Sequence, residues 1–68
     1  MNVGIIGSGG REHALCKSIK ESSKVKKIYC FPGNAGTSGL AENIEIDISD
    51  FNQIKEFSLT NEISLIIV

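Results

Sequence analysis

The sequence predicts an α/β domain built on a mainly parallel sheet of about four strands. Three observations predict it. Short apolar runs at residues 2–6 and 63–68 have the look of strands buried on both faces. Two amphipathic segments of helical period separate the strand-like runs. A cluster of glycines stands where the first run meets the first amphipathic segment.

Asn2 to Ile6 is the first strand, and it stops at Gly7. From Glu12 to Ser22 the apolar Leu15, Cys16 and Ile19 recur at helical spacing, with Lys17, Lys20 and Glu21 on the other side, which predicts the first helix. Val25 to Phe31 returns to β-branched and aromatic residues and closes on the turn signal Pro32-Gly33-Asn34, the second strand. Residues 33–42 are too rich in glycine and small polar side chains for a regular element, although one helical turn fits. Ile44, Ile46 and Ile48 alternate with Asn43, Glu45 and Asp47, the signature of a third, half-buried strand that is short or near an edge. Asp50 is a good N-cap, Gln53 completes a capping box, and Phe51, Ile54 and Phe57 supply an apolar stripe, so a second helix is predicted from Phe51 to Thr60. Ile63 to Val68 reads as a central parallel strand. Four strands with two helices leave sheet faces uncovered, and the chain stops where a parallel sheet normally issues its functional loop. We therefore expect a truncated domain, a fragment of a longer enzyme.

Composition narrows the partners. The formal net charge of −1 provides no global field for nucleic acid or anionic membrane. Lys17, Lys20, Lys24, Lys26 and Lys27 lie close together, but no aromatic residues interleave for base stacking, so they read as a solvated helix end. The N-terminus lacks a basic region followed by a long apolar stretch, which speaks against a secretory signal or membrane span and for a cytoplasmic protein. Cys16 and Cys30 have no C-x-x-C and no companion ligands, so they are expected as reduced apolar filler rather than a metal site.

The chemistry concentrates in Gly7-Ser8-Gly9-Gly10-Arg11-Glu12, a strand-to-helix loop. Its glycines permit close backbone approach, the first amides of the helix lack intrahelical partners, and the helix dipole favours an anion there. Arg11 can add a charge-assisted hydrogen bond. A dinucleotide fingerprint requires G-x-G-x-x-G and an acidic residue about 20 positions later. Glu12 stands where the third glycine belongs, and no carboxylate occurs between Ser22 and Ala41. No Gly-Lys-Ser or Gly-Lys-Thr is present for a Walker loop. A small phosphorylated ligand fits best. Glu12 is suited to accept hydrogen bonds from sugar hydroxyls or an amine, or simply to complement the helix dipole; His13 is either a ligand contact or a helix residue anchored to backbone. The second loop, Pro32-Gly33-Asn34-Ala35-Gly36-Thr37, should leave the same edge of a parallel sheet, with Asn34 able to read hydroxyl or amine groups and Thr37 able to bond a phosphate.

At these two loops the sequence resembles the phosphoribosylamine-glycine ligase family, also called glycinamide ribonucleotide synthetases. Ile5-Ile6-Gly7-Ser8-Gly9-Gly10-Arg11-Glu12-His13-Ala14-Leu15 and Pro32-Gly33-Asn34-Ala35-Gly36-Thr37 carry the resemblance, with a weaker match at Ala41-Glu42-Asn43-Ile44. It implies a Rossmann-like, pre-ATP-grasp domain, with residues 1–68 forming part of the N-terminal substrate-binding domain. Missing ATP-grasp and C-terminal domains would pack on it. The implied reaction joins glycine to 5-phosphoribosylamine in purine biosynthesis, through a glycyl phosphate made with ATP. ATP and Mg2+ (or Mn2+) would be bound outside this chain, which then carries no catalytic or metal residue and is inert alone. By resemblance the substrate-binding residues are Gly9, Gly10, Arg11 and Glu12 of the first loop and Asn34, Gly36 and Thr37 of the second. A dinucleotide-binding oxidoreductase and a non-catalytic nucleotide-sensing module are the rival readings.

Overall fold

Strand β1, Asn2–Gly7, buries Val3, Gly4 and Ile5 and is the strand on which the other elements assemble. The computed structural model describes residues 1–7 and 9–68; Ser8 of the predicted first loop lies outside the described residues. Helix α1 spans Gly10–Lys20, β2 Lys27–Pro32, β3 Glu42–Asn43, α2 Phe51–Thr60 and β4 Ile63–Ile67, with a single 3-10 turn at Thr37–Gly39. All strand pairs are parallel, in the order β3-β2-β1-β4.

The alternation of side chains along the strands sorts the core into two layers. Val3 and Ile5 of β1 and Ile28 and Cys30 of β2 pack with Cys16 of α1 on one face. Tyr29 and Phe31 turn to the other, where Phe57 of α2 meets both rings edge-on, with centroids 5.1 and 5.5 Å away. Both cysteines are fully buried and unbridged, as apolar filler should be.

Four differences from the predicted elements have physical causes. Helix α1 begins two residues early, at Gly10, because Gly9 already serves as its N-cap. It ends at Lys20, and Val25 falls in a turn, with its N–H donating to the Ser22 carbonyl at 3.2 Å. The third strand lies at residues 42–43 and does not run through Ile48. Ile44 N–H still donates to the Cys30 carbonyl at 2.8 Å, but the next rung of a parallel ladder needs an N–H at position 32, and Pro32 has none. Ile46 N–H turns back to the Ile44 carbonyl instead.

The run at 63–67 forms an edge of this sheet, with β1 and β2 at its centre, so Leu65 and Ile66 are exposed. Helix α2 has the predicted bounds, but its capping box is half formed. Asp50 Oδ1 accepts from Gln53 N–H at 3.1 Å, whereas Asp50 N–H donates to the Asp47 carbonyl. Ile54 and Phe57 form the buried stripe, and Phe51 stands in solvent. Lys17, Lys20, Lys24, Lys26 and Lys27 are all exposed. Among the described residues no helix is long and apolar enough to cross a membrane.

Candidate functional site

Strands β1 and β2 run in register with Gly7 opposite Pro32, so the two predicted loops leave the sheet side by side at its carboxyl edge. Crevices at this edge are where open parallel sheets bind ligands. Each chain turns there on a glycine of positive φ, 146° at Gly7 and 78° at Gly33, backbone that side-chain-bearing residues avoid. Neither glycine has room for a side chain. A Cβ on Gly7 would fall on the Glu12 side chain, and one on Gly33 would fall on the Asn43 amide and the Thr37 hydroxyl. The loops are bonded to each other as well. Gly33 N–H donates to the Gly7 carbonyl at 3.1 Å, and Asn34 Nδ2 donates to the Gly9 carbonyl at 3.0 Å.

In the first loop Glu12 turns back on the helix start. Its Oε2 accepts from Gly9 N–H at 2.9 Å, and the side chain is only 14% exposed. Arg11 points outward at 81% exposure, with Nη2 3.8 Å from Glu12 Oε1. An exposed ion pair of this kind contributes little to stability, which leaves the guanidinium available to an incoming anion. Gly9 and Gly10 are exposed at the start of α1, where helix amides lack intrahelical acceptors.

The second loop is organised around Thr37, which is wholly buried. Its hydroxyl accepts from Asn34 N–H at 2.8 Å and lies 2.8 Å from Asn43 Oδ1 and 3.0 Å from the Asn34 carbonyl, the acceptors for its single proton. Thr37 N–H donates to Asn34 Oδ1 at 3.0 Å, and Asn43 Nδ2 donates to the Asn34 carbonyl at 2.8 Å. The Asn34 side chain is thereby fixed with its oxygen on the second loop and its nitrogen on the first. Gly36 lets this loop approach α1 closely, since a Cβ there would come within 3.1 Å of both His13 Nδ1 and Asn34 Oδ1.

Beneath the loops, burial together with the neighbouring Cys16 thiol pushes the Cys30 thiol up to about 11, while the Thr37 hydroxyl pulls the other way. Such a thiol is a poor nucleophile at neutral pH. Among the described residues there is no group of three or more His, Cys, Asp or Glu side chains that could hold a metal ion.

The fold thus gathers Gly9, Gly10, Arg11, Glu12, Asn34, Gly36 and Thr37 at one edge, but in different capacities. Gly9, Gly10 and Arg11 are exposed, Glu12 and Asn34 both bond the backbone of Gly9, and Thr37 is committed to the loop's interior. Asn43, which the sequence reading assigned to a strand, is the residue it missed. Its signal was the fragment Ala41-Glu42-Asn43-Ile44, where alternation with isoleucines pointed to strand chemistry and concealed a loop-fixing amide. The exposed His13 side chain lies near Gly36 of the second loop.

The family model described as the N domain of phosphoribosylglycinamide synthetase matches residues 1–68. The chain is 47% identical over its whole length to the phosphoribosylamine–glycine ligase of Caldanaerobacter subterraneus subsp. tengcongensis, of which it covers 16%. It is likewise 47% identical to the ligase of Synechocystis sp., covering all of this chain and 17% of that protein. The ligase of Rhodopirellula baltica is 45% identical, covering 98% of this chain and 15% of that protein. The chain therefore spans about a sixth of the length of these relatives.

Proposed function

Because the chain belongs to the family of phosphoribosylglycinamide synthetase N domains, we propose that its paired glycine loops hold the sugar-phosphate substrate, 5-phosphoribosylamine, of a phosphoribosylamine–glycine ligase in purine biosynthesis. The observation that carries the proposal is the bonding of the loops to each other, Gly33 to Gly7 and Asn34 to Gly9. It puts outward amides and a guanidinium beside a carboxylate and a primary amide in one crevice. Such a mixture suits a molecule with an anionic end and a donor-rich body better than it suits a plain anion.

In this reading the amides at the start of α1 and Arg11 take the phosphate, while Glu12 and Asn34 accept from and donate to the sugar hydroxyls and the amine. Gly36 and Thr37 set the shape of the second loop. The reaction joins that amine to glycine, whose carboxylate is first converted to an acyl phosphate at the expense of ATP; the amine then displaces phosphate and forms the amide. ATP and magnesium are assigned to ATP-grasp elements beyond this chain, and the domain's part is to hold and orient the amine. A cytoplasmic setting, with both thiols reduced, accords with this role.

Calorimetry of the full-length protein with ribose 5-phosphate tests the proposal. Arg11→Ala and Asn34→Ala should each weaken binding by about tenfold, the value of one lost charge-assisted or buried polar contact. Unchanged affinity in both removes the crevice from consideration, and enhanced NADH fluorescence on binding would favour the dinucleotide rival.

A further inference from the structure

We infer that Glu12 determines the specificity of this crevice, barring ligands that place a bridging pyrophosphate on the first loop and admitting a single phosphate carried on a sugar. The inference rests on the ligand class proposed above and adds a device for selecting it.

In a G-x-G-x-x-G loop the pyrophosphate lies against the second glycine and the helix-start amides, and the third glycine keeps the helix close to the strand with no side chain between them. Here that position is Glu12, and its side chain turns back on the loop. Oε2 holds Gly9 N–H at 2.9 Å, and the carboxyl group crowds Gly7 so closely that even a methyl group on Gly7 would overlap it. At 14% exposure the carboxylate is kept in the loop rather than in solvent. It does to Gly9 what a phosphate oxygen would otherwise do. A second phosphate brought to this point would lose the Gly9 donor and meet a like charge. A hydroxyl or amine brought there finds an acceptor, and Arg11, 81% exposed on the outer side, remains for one phosphate at the mouth.

The test uses full-length protein labelled with 15N at glycine, the Gly9 resonance being identified by its loss in Gly9→Ala. Inorganic pyrophosphate and ribose 5-phosphate are titrated separately into wild type, Glu12→Gln and Glu12→Gly. Wild type should leave the Gly9 amide unmoved by pyrophosphate. Glu12→Gln keeps an oxygen for Gly9 but drops the charge, and should bind pyrophosphate at least tenfold more tightly while binding ribose 5-phosphate more weakly. Glu12→Gly, which restores the third glycine, should let pyrophosphate shift the Gly9 resonance. Pyrophosphate affinity equal in all three proteins, or a wild-type Gly9 resonance that already shifts with pyrophosphate, overturns the inference. Absence of ribose 5-phosphate binding in wild type would instead remove the functional proposal, and the pyrophosphate comparison would still read the role of Glu12.

Discussion

The first loop is held by a carboxylate tucked against the helix start, the second by a neutral network around the buried Thr37, although both leave neighbouring parallel strands through a glycine of positive φ. In the second loop Asn34, Thr37 and Asn43 bond one another through side chains and backbone. A network of that kind fixes geometry and leaves few groups for a ligand. In the first loop the Glu12 carboxylate ties the helix start through Gly9 N–H, and Arg11 stays directed outward. Positioning and binding are therefore divided between the loops, and Asn34, whose side chain spans both, transmits the geometry of one to the other.

Substitutions at the turning glycines should produce the largest effects. Gly33→Ala combines a disfavoured φ of 78° with overlap on Asn43 and Thr37, neither of which can retreat into solvent without breaking the network. A cost of about 3 kcal/mol is expected, as faster hydrogen exchange in β1 and β2. Gly7→Ala is strained as well, but its crowding comes from Glu12, which can swing outward; about 2 kcal/mol is expected. A greater loss at Gly7 than at Gly33 would contradict the assignment of rigidity to the second loop.

Thr37→Val preserves shape and removes the buried hydroxyl that accepts from Asn34 N–H and lies 2.8 Å from Asn43 Oδ1. About 2 kcal/mol should be lost, measured by urea titration. Ribose 5-phosphate affinity should fall through displacement of Asn34, and a Thr37→Ser variant should recover most of it.

Both loops were legible in the sequence because glycine leaves a mark that burial cannot hide. Gly7 and Gly33 are required by backbone conformation, and the strands before them by apolar composition. The direction of the side chains was not legible. Thr37 and Arg11 are both polar loop residues of the kind that bind phosphate, yet one is wholly buried and the other stands in solvent. Thr37 is turned inward by Asn34 and Asn43, which bond its hydroxyl, whereas Arg11 meets only the Glu12 carboxylate at 3.8 Å. The third strand failed for a related reason: the isoleucine alternation from 44 to 48 is genuine, but whether a strand continues depends on the partner's donors, and Pro32 withholds one. Local pattern thus gave the elements and the turning points, whereas ladder chemistry and side-chain amides of the second loop and β3 decided lengths and orientations.

Below the loops, Cys30 offers a probe of how well the second loop seals the core. Its thiol stands near 11 in the folded chain against an ordinary value of 9.0. Because folding favours the neutral thiol, the stabilisation is complete below pH 9 and is lost as pH rises through 11. About 1 kcal/mol should disappear between pH 8 and pH 10, seen as a falling urea midpoint, and Cys30→Ala should flatten that slope while lowering the plateau. Rapid alkylation of native Cys30 at pH 8 would show that Thr37 and its network do not close over it.

The smallest stability effect should come from the residue with the clearest role in selectivity. Glu12→Ala removes the acceptor of Gly9 N–H, but Gly9 is exposed and water can take the carboxylate's place, so the cost should resemble that of a lost helix cap, about 1 kcal/mol or less. Exchange protection across α1 would register it. The contrast with Thr37→Val is the point of the measurement. A hydroxyl sealed inside the second loop should be worth more to the fold than a full charge at the first, while the charge is worth more to the choice of ligand. If Glu12→Ala destabilises the domain as much as Thr37→Val does, the carboxylate is a structural member of the loop, and the division between a positioning loop and a binding loop fails.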